Sequence, residues 1–169
     1  MSEQVVVDSL GFALNHDTLS GVVEVAELSR LLDVLHSSTG ALEYTLSGGV
    51  NQHGKPVLHC RVKGKLQLQC QRCLEGMEYM LDTQSELVLA RDEAELLQLD
   101  EQDDEAADAI LADAKLNVLA LVEDEVLLDL PVAPRHPTGT CQVKARDSGG
   151  QESSPFAVLA KLKPQQGDK

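Results

Sequence analysis

From Val57 to Cys70 the chain reads VLHCRVKGKLQLQC, and its apolar residues return at every second position. Val62, Leu66, Leu68 and Cys70 fall on one side, with Gly64 between them, while Arg61, Lys63, Lys65, Gln67 and Gln69 fall on the other. A helix would scatter such residues around its surface, whereas successive strand residues point to opposite faces. The stretch therefore requires a half-buried strand, and the fold must supply an apolar layer on one side of it and solvent on the other. Cys60 is assigned in this reading to the polar side, opposite Cys70.

The flanking segments repeat the pattern. ALEYTLSGGV puts Leu42, Tyr44 and Leu46 on one side, NQHGKP supplies a turn, and MEYMLDTQSELVLA follows the turn at CQRC. Three such segments joined by short connections predict an antiparallel meander. NVLALVEDEVLLDL at 117–130 changes to helical spacing, with Asn117 as N-cap and Pro131 as stop. Its broad apolar face predicts a helix lying on the sheet. Val25, Leu28, Leu31, Leu32 and Leu35 also recur at helical spacing and predict a helical N-terminal segment. Ser154 and Pro155 begin a short predicted C-terminal helix that carries Phe156, Leu159 and Leu162.

The expected class is therefore α+β: an antiparallel β-meander packed by a long helix, with a helical N-terminal segment and a short C-terminal helix. The expected organisation is a single α+β domain over 1–150, with an acidic loop at 91–113, then a linker and short helix or tail over 151–169.

Charge narrows the function. The 169 residues carry a formal net charge of −14, which attracts basic partners and repels phosphate at long range. The charge is unevenly placed. Lys55, Arg61, Lys63, Lys65 and Arg72 lie between Asn51 and Leu74 with no acidic residue among them, whereas ten acidic residues and no basic one lie between Asp92 and Asp113. Aromatic residues are 2% of the chain, so base stacking on aromatic platforms is a poor account of any function. MSEQVVVDSLGF has no basic leader pattern, and no stretch approaches the roughly 20 apolar residues of a membrane span, so a cytoplasmic protein is expected.

Cys70 and Cys73 form a C-x-x-C pair at a strand end, and three readings stay open. A thiol redox pair needs a helix N-terminus to lower the thiol pKa, and LEGMEYMLDTQ after Cys73 alternates like a strand. A zinc site needs two more soft ligands, which His136 and Cys141 supply as H-x4-C, giving a Cys3His set. The plainest reading is a set of buried or half-buried thiols acting as small apolar groups. A structural zinc is thus the one candidate cofactor.

Arg61, Lys63, Lys65 and Arg72 are the candidate contacts for RNA phosphate or another anionic partner, set against the alternative of a solvated strand face. The acidic run at 92–113 could mimic nucleic acid, hold a basic protein by steering, or simply aid solubility. VEDE at 122–125 reads as a solvated helix face. No phosphate-binding glycine loop, G-x-S-x-G or H-E-x-x-H occurs, and no catalytic set is found.

LQCQRCLEGM, LVEDEVLLDLPVAPRH, Cys141 and SPFAVLAKLK, in that order and at these distances, resemble the bacterial YceD family of large ribosomal RNA subunit accumulation proteins. The matching positions are Cys70, Arg72, Cys73, Glu123, Glu125, Leu128, Leu130, Pro131, His136 and Cys141. The resemblance implies a non-enzymatic factor that supports synthesis, processing or stability of 23S rRNA and assembly of the large subunit. Its implied partners are 23S rRNA or its precursor particle, with a basic ribosomal protein as a further one; no membrane and no small-molecule substrate is implied. The alternative is a small thiol redox or zinc-dependent enzyme using Cys70 and Cys73.

Overall fold

The computed structural model describes residues 5–102, 108–137 and 139–141. In chain order the elements are β1 (Val6–Val7), α1 (Ser9–Leu14), β2 (Thr18–Glu24), β3 (Leu35–Ser37), β4 (Ala41–Val50), β5 (Pro56–Gln69) and β6 (Gly76–Ala90). They are followed by α2 (Glu93–Gln102), β7 (Asp108–Leu111), β8 (Leu116–Asn117) and α3 (Val118–Asp129).

The main sheet has the order β2-β4-β5-β6-β7, with β3 pairing to β5 beyond the end of β4. β2, β4, β5 and β6 are antiparallel neighbours, and β7 runs parallel to β6. β1 and β8 form a separate two-stranded pair. This is a mostly-β protein with a mixed sheet. The expected α+β class with a long packing helix is wrong: α1, α2 and α3 have 6, 10 and 12 residues, against 14 and 15 in β5 and β6.

Period-two alternation sorts the sheet's faces as the sequence requires. Leu42, Tyr44, Leu46, Leu58, Cys60, Val62, Leu66, Leu68, Leu81 and Leu89 are buried on the inner face. Cys60 shares the parity of Val62 and is only 1% exposed, so its assignment to the polar side is corrected. α1 and α3 cover this face, α3 through Val118, Leu121, Val122 and Val126. Val57, Val88 and Ala90 are buried on the other face, at the end where α2 packs on β6 and β7.

α3 starts where the sequence places it. Asn117 accepts hydrogen bonds through Oδ1 from Leu119 N (3.1 Å) and Ala120 N (3.2 Å), satisfying two of the first-turn donors. Asn117→Ala is expected to lower stability by about 1 kcal/mol in urea unfolding. An unchanged midpoint and slope would show that the cap is redundant.

The helix expected from the spacing of Val25, Leu28, Leu31, Leu32 and Leu35 is absent. β2 ends at Glu24, a 3-10 turn covers Val25–Glu27, and further turns lead to β3. Leu28 and Leu31 are buried there as plugs rather than as one face of a helix. Glu123 of α3 holds the turns in place, accepting from Arg30 N (2.6 Å), Arg30 Nε (2.8 Å) and Leu31 N (3.4 Å). Glu123 and Glu125 are buried, so VEDE is not the solvated helix face expected. The acidic stretch at 91–113 is likewise not a simple loop, because it forms α2 and β7. The expected C-terminal helix and residues 151–169 lie outside the described residues.

Candidate metal centre

β5 and β6 meet at a turn of six residues, Cys70 to Glu75, and the first chemistry-bearing side chains of the site lie in it. Cys70 N donates to Glu75 O (2.9 Å) and Leu74 N donates to Cys70 O (2.9 Å), closing the turn. Leu74 has φ 64°, the left-handed region that a non-glycine residue enters only at a steric cost. Pro131 ends α3, and the chain then returns to this turn, where Gln71 N donates to Pro134 O (2.9 Å).

That return brings His136 and Cys141 to the cysteine pair. Cys70 Sγ lies 3.8 Å from Cys141 Sγ, and Cys73 Sγ lies 3.4 Å from His136 Nδ1. All four ligand atoms fall within 4.8 Å of one another. Cys70 is buried and the other three are half-buried, so the set can hold a metal ion away from bulk water. His136 Nε2 donates to Gly76 O (3.3 Å), which leaves Nδ1 as the free lone pair facing the sulfurs. Arg72 N donates to Cys70 Sγ (3.4 Å).

The thiols differ in acidity. Burial raises Cys70, but backbone N–H groups of Cys73, His136 and Arg72 and the His136 side chain favour its thiolate, and the net result is a fall to about 5. Cys141 is pushed up to about 11, first by burial and then by the thiols of Cys73 and Cys70. Without a metal, Cys70 is therefore the favoured thiolate of the pair and Cys141 the disfavoured one. Cys60, far along β5, is pushed up to about 12 by burial with a smaller contribution from Glu125, and it takes no part in the cluster.

The sequence-predicted cations divide into two groups. Arg61 pairs with Asp82 (3.1 Å), Lys63 with Asp82 (3.7 Å) and Lys65 with Glu78 (3.3 Å), all exposed. Glu43 faces Lys63 across β4, and Glu86 pairs with His59, so the expected cationic ribbon lies on a face where four carboxylates surround three cations. Sequence reasoning missed this although the signal was present. Folding the chain back at CQRC sets Lys63 opposite Asp82 and Gln67 opposite Glu78. Arg72 stands instead in the cysteine turn, exposed, and Arg135, which sequence reasoning also missed, is exposed beside His136. Neither has a carboxylate ion-pair partner among the described residues.

The C-x-x-C lies between two strands rather than at a helix N-terminus, so the setting of a thioredoxin-like redox pair is missing here. No helix among the described residues is long and apolar enough to cross a membrane.

A family model described as large ribosomal RNA subunit accumulation protein YceD matches residues 58–163. The Haemophilus influenzae protein of that name is 26% identical over 171 residues, an alignment covering 94% of this chain and 95% of that protein. No solved structure matches. The family model spans more than half of the chain, from within β5 through the cysteine turn and α3 to beyond Cys141, and the chain belongs to the YceD family.

Proposed function

We propose that this protein is a non-catalytic cytoplasmic factor that supports accumulation of large-subunit ribosomal RNA, including 23S rRNA synthesis, processing or stability and subunit assembly. The family description supplies the process. One observation carries the manner of action: Arg72 and Arg135, without a carboxylate ion-pair partner among the described residues, stand at one end of β6. Arg72 and Arg135 stand at the cysteine turn, whereas the acidic segment from Asp92 onward begins at the opposite end of β6. At about 3.3 Å per residue the 15 residues of β6 separate these ends by roughly 45 Å. The Debye length is only about 8 Å at physiological salt, so the acidic end does not cancel the arginines' local field.

On this reading the cysteine end approaches RNA phosphate through Arg72 and Arg135, and the acidic end suits a basic ribosomal protein. Arg61, Lys63 and Lys65 contribute little, because cross-strand carboxylates already neutralise them. The factor's cofactor is a structural ion at the Cys/His cluster.

The Arg72→Glu, Arg135→Glu double variant is expected to lose co-sedimentation with large-subunit precursor particles, and its RNA affinity should have a salt slope shallower by about 1–2. The triple variant Arg61→Gln, Lys63→Gln, Lys65→Gln should sediment as the parent does. Equal behaviour of the two variants would overturn the assignment. Association that survives RNase treatment would transfer the contact to a ribosomal protein.

A further inference from the structure

We propose that Cys70, Cys73 and Cys141, through sulfur, and His136, through Nδ1, form a closed structural zinc site that fastens the chain after α3 to the β5–β6 turn. This deepens the reading above by naming its ion, but the site itself stands on geometry alone.

The first argument is metric. Zinc–sulfur bonds of about 2.3 Å and a zinc–nitrogen bond of about 2.05 Å, at tetrahedral angles, place sulfurs about 3.8 Å apart and sulfur about 3.6 Å from nitrogen. The cluster has 3.8 Å between Cys70 Sγ and Cys141 Sγ and 3.4 Å between Cys73 Sγ and His136 Nδ1. The remaining donor separations stay within 4.8 Å, so the four atoms already outline the tetrahedron to within about 1.2 Å.

The second argument lies around the donors. Gly76 O accepts a hydrogen bond from His136 Nε2–H, which orients the ring and fixes the tautomer that leaves Nδ1 to the ion. Arg72 N points at Cys70 Sγ. Leu74 accepts a left-handed backbone immediately after the second cysteine, and its N–H closes the turn on Cys70 O (2.9 Å). Three thiolates and an imidazole are a soft set that selects zinc over the oxygen-seeking cations.

The third argument concerns role. Four donors from the chain complete a tetrahedral ion and leave no open position for substrate or water, which distinguishes a structural site from a catalytic one. The ion would join two parts of the chain that the sequence separates by 62 residues between Cys73 and His136. Arg72 and Arg135 each adjoin a ligand, so the same ion would set the spacing between the two guanidinium groups.

Elemental analysis of the reduced full chain, purified without chelator, should find about one zinc per molecule. Cobalt(II) substitution should give the thiolate charge-transfer bands and intense visible absorption of a tetrahedral site. Cys141→Ser should weaken zinc affinity by more than the roughly 10–100-fold cost of losing an outer-shell partner, while Cys60→Ser should bind as the parent does. Chelation should speed hydrogen exchange at the Gln71 amide and leave the Val62 and Leu66 amides protected, which separates loss of the clasp from loss of the fold. A reduced chain that binds neither zinc nor cobalt, or a Cys60→Ser protein as impaired as Cys141→Ser, would overturn the proposal. None of these measurements involves a ribosomal particle, so their failure removes the ion alone, and failure of the arginine variants removes the partner reading alone.

Discussion

Gly48→Ala is expected to lower the unfolding free energy by about 3 kcal/mol, at the upper end of the usual overpacking range. Gly48 lies in β4 beneath α1, and a Cβ there would stand 2.6 Å from Ala13 Cα and 2.8 Å from Phe12 C, with Phe12 O closer still. These are backbone atoms, so no rotamer change relieves the clash. α1 is also tethered, since Gly48 N donates to Asp17 O (2.8 Å), Asp17 N to Phe12 O (3.1 Å) and Ser9 N to Asp113 O (3.0 Å). Shifting the helix would disturb all of these bonds. Gly49 supplies the control one residue away. Its nearest neighbours to a Cβ are His59 Nε2 and Val57 Cγ2, both at 3.7 Å, so Gly49→Ala should fall within about 0.5 kcal/mol of the parent. Urea titrations of the two variants give the comparison, and equal midpoints would show that α1 yields freely.

Glu123→Ala should cost about 2–3 kcal/mol, nearly as much, by a different mechanism. One carboxylate satisfies the backbone donors of Arg30 and Leu31, and Leu31 is fully buried. Alanine leaves those N–H groups, one part-buried and one buried, without their acceptor. The neighbouring ion pair of Arg30 with Asp124 (2.6 Å) is exposed, so Asp124→Ala should change stability by less than about 1 kcal/mol. Glu123→Gln keeps an oxygen for the two amides and should recover part of the loss. Hydrogen exchange at Leu31 locates the effect: faster exchange in Glu123→Ala with an intact sheet is expected, and unchanged exchange would assign the carboxylate no anchoring role.

These two sites show what the sequence could and could not reveal. Alternation in β4, β5 and β6 was legible because a half-buried strand imposes period two, and Asn117 and Pro131 marked α3 because capping and ring closure are local effects. The four residues of the candidate cluster were legible as C-x2-C and H-x4-C, which local spacing preserves. The segment from Val25 to Leu35 was misread because turns that bury Leu28 and Leu31 space apolar residues as a helix does. What decides between them is a carboxylate 93 positions away, at Glu123. β7 was hidden because Ile110 and Leu111 sit in an acidic run, and only pairing with β6 makes them a strand. The class was misjudged because the helical pattern at 117–130 was given the weight of a layer, while the sheet's extra strands came from segments without strong periodicity. Cys60 was a parity error that counting from Val62 corrects.

Val6 pairs with Asn117, and Val118 N donates to Val5 O, so the first strand must wait for its partner. At a synthesis rate of roughly 5–20 residues per second, that partner leaves the ribosome on the order of 5–20 s after the N-terminus. The meander can assemble in the interval, but its inner surface lacks the α3 side chains that finish it. A nascent chain stalled before residue 118 should therefore present bare leucines to holding chaperones, and one released past residue 129 should not.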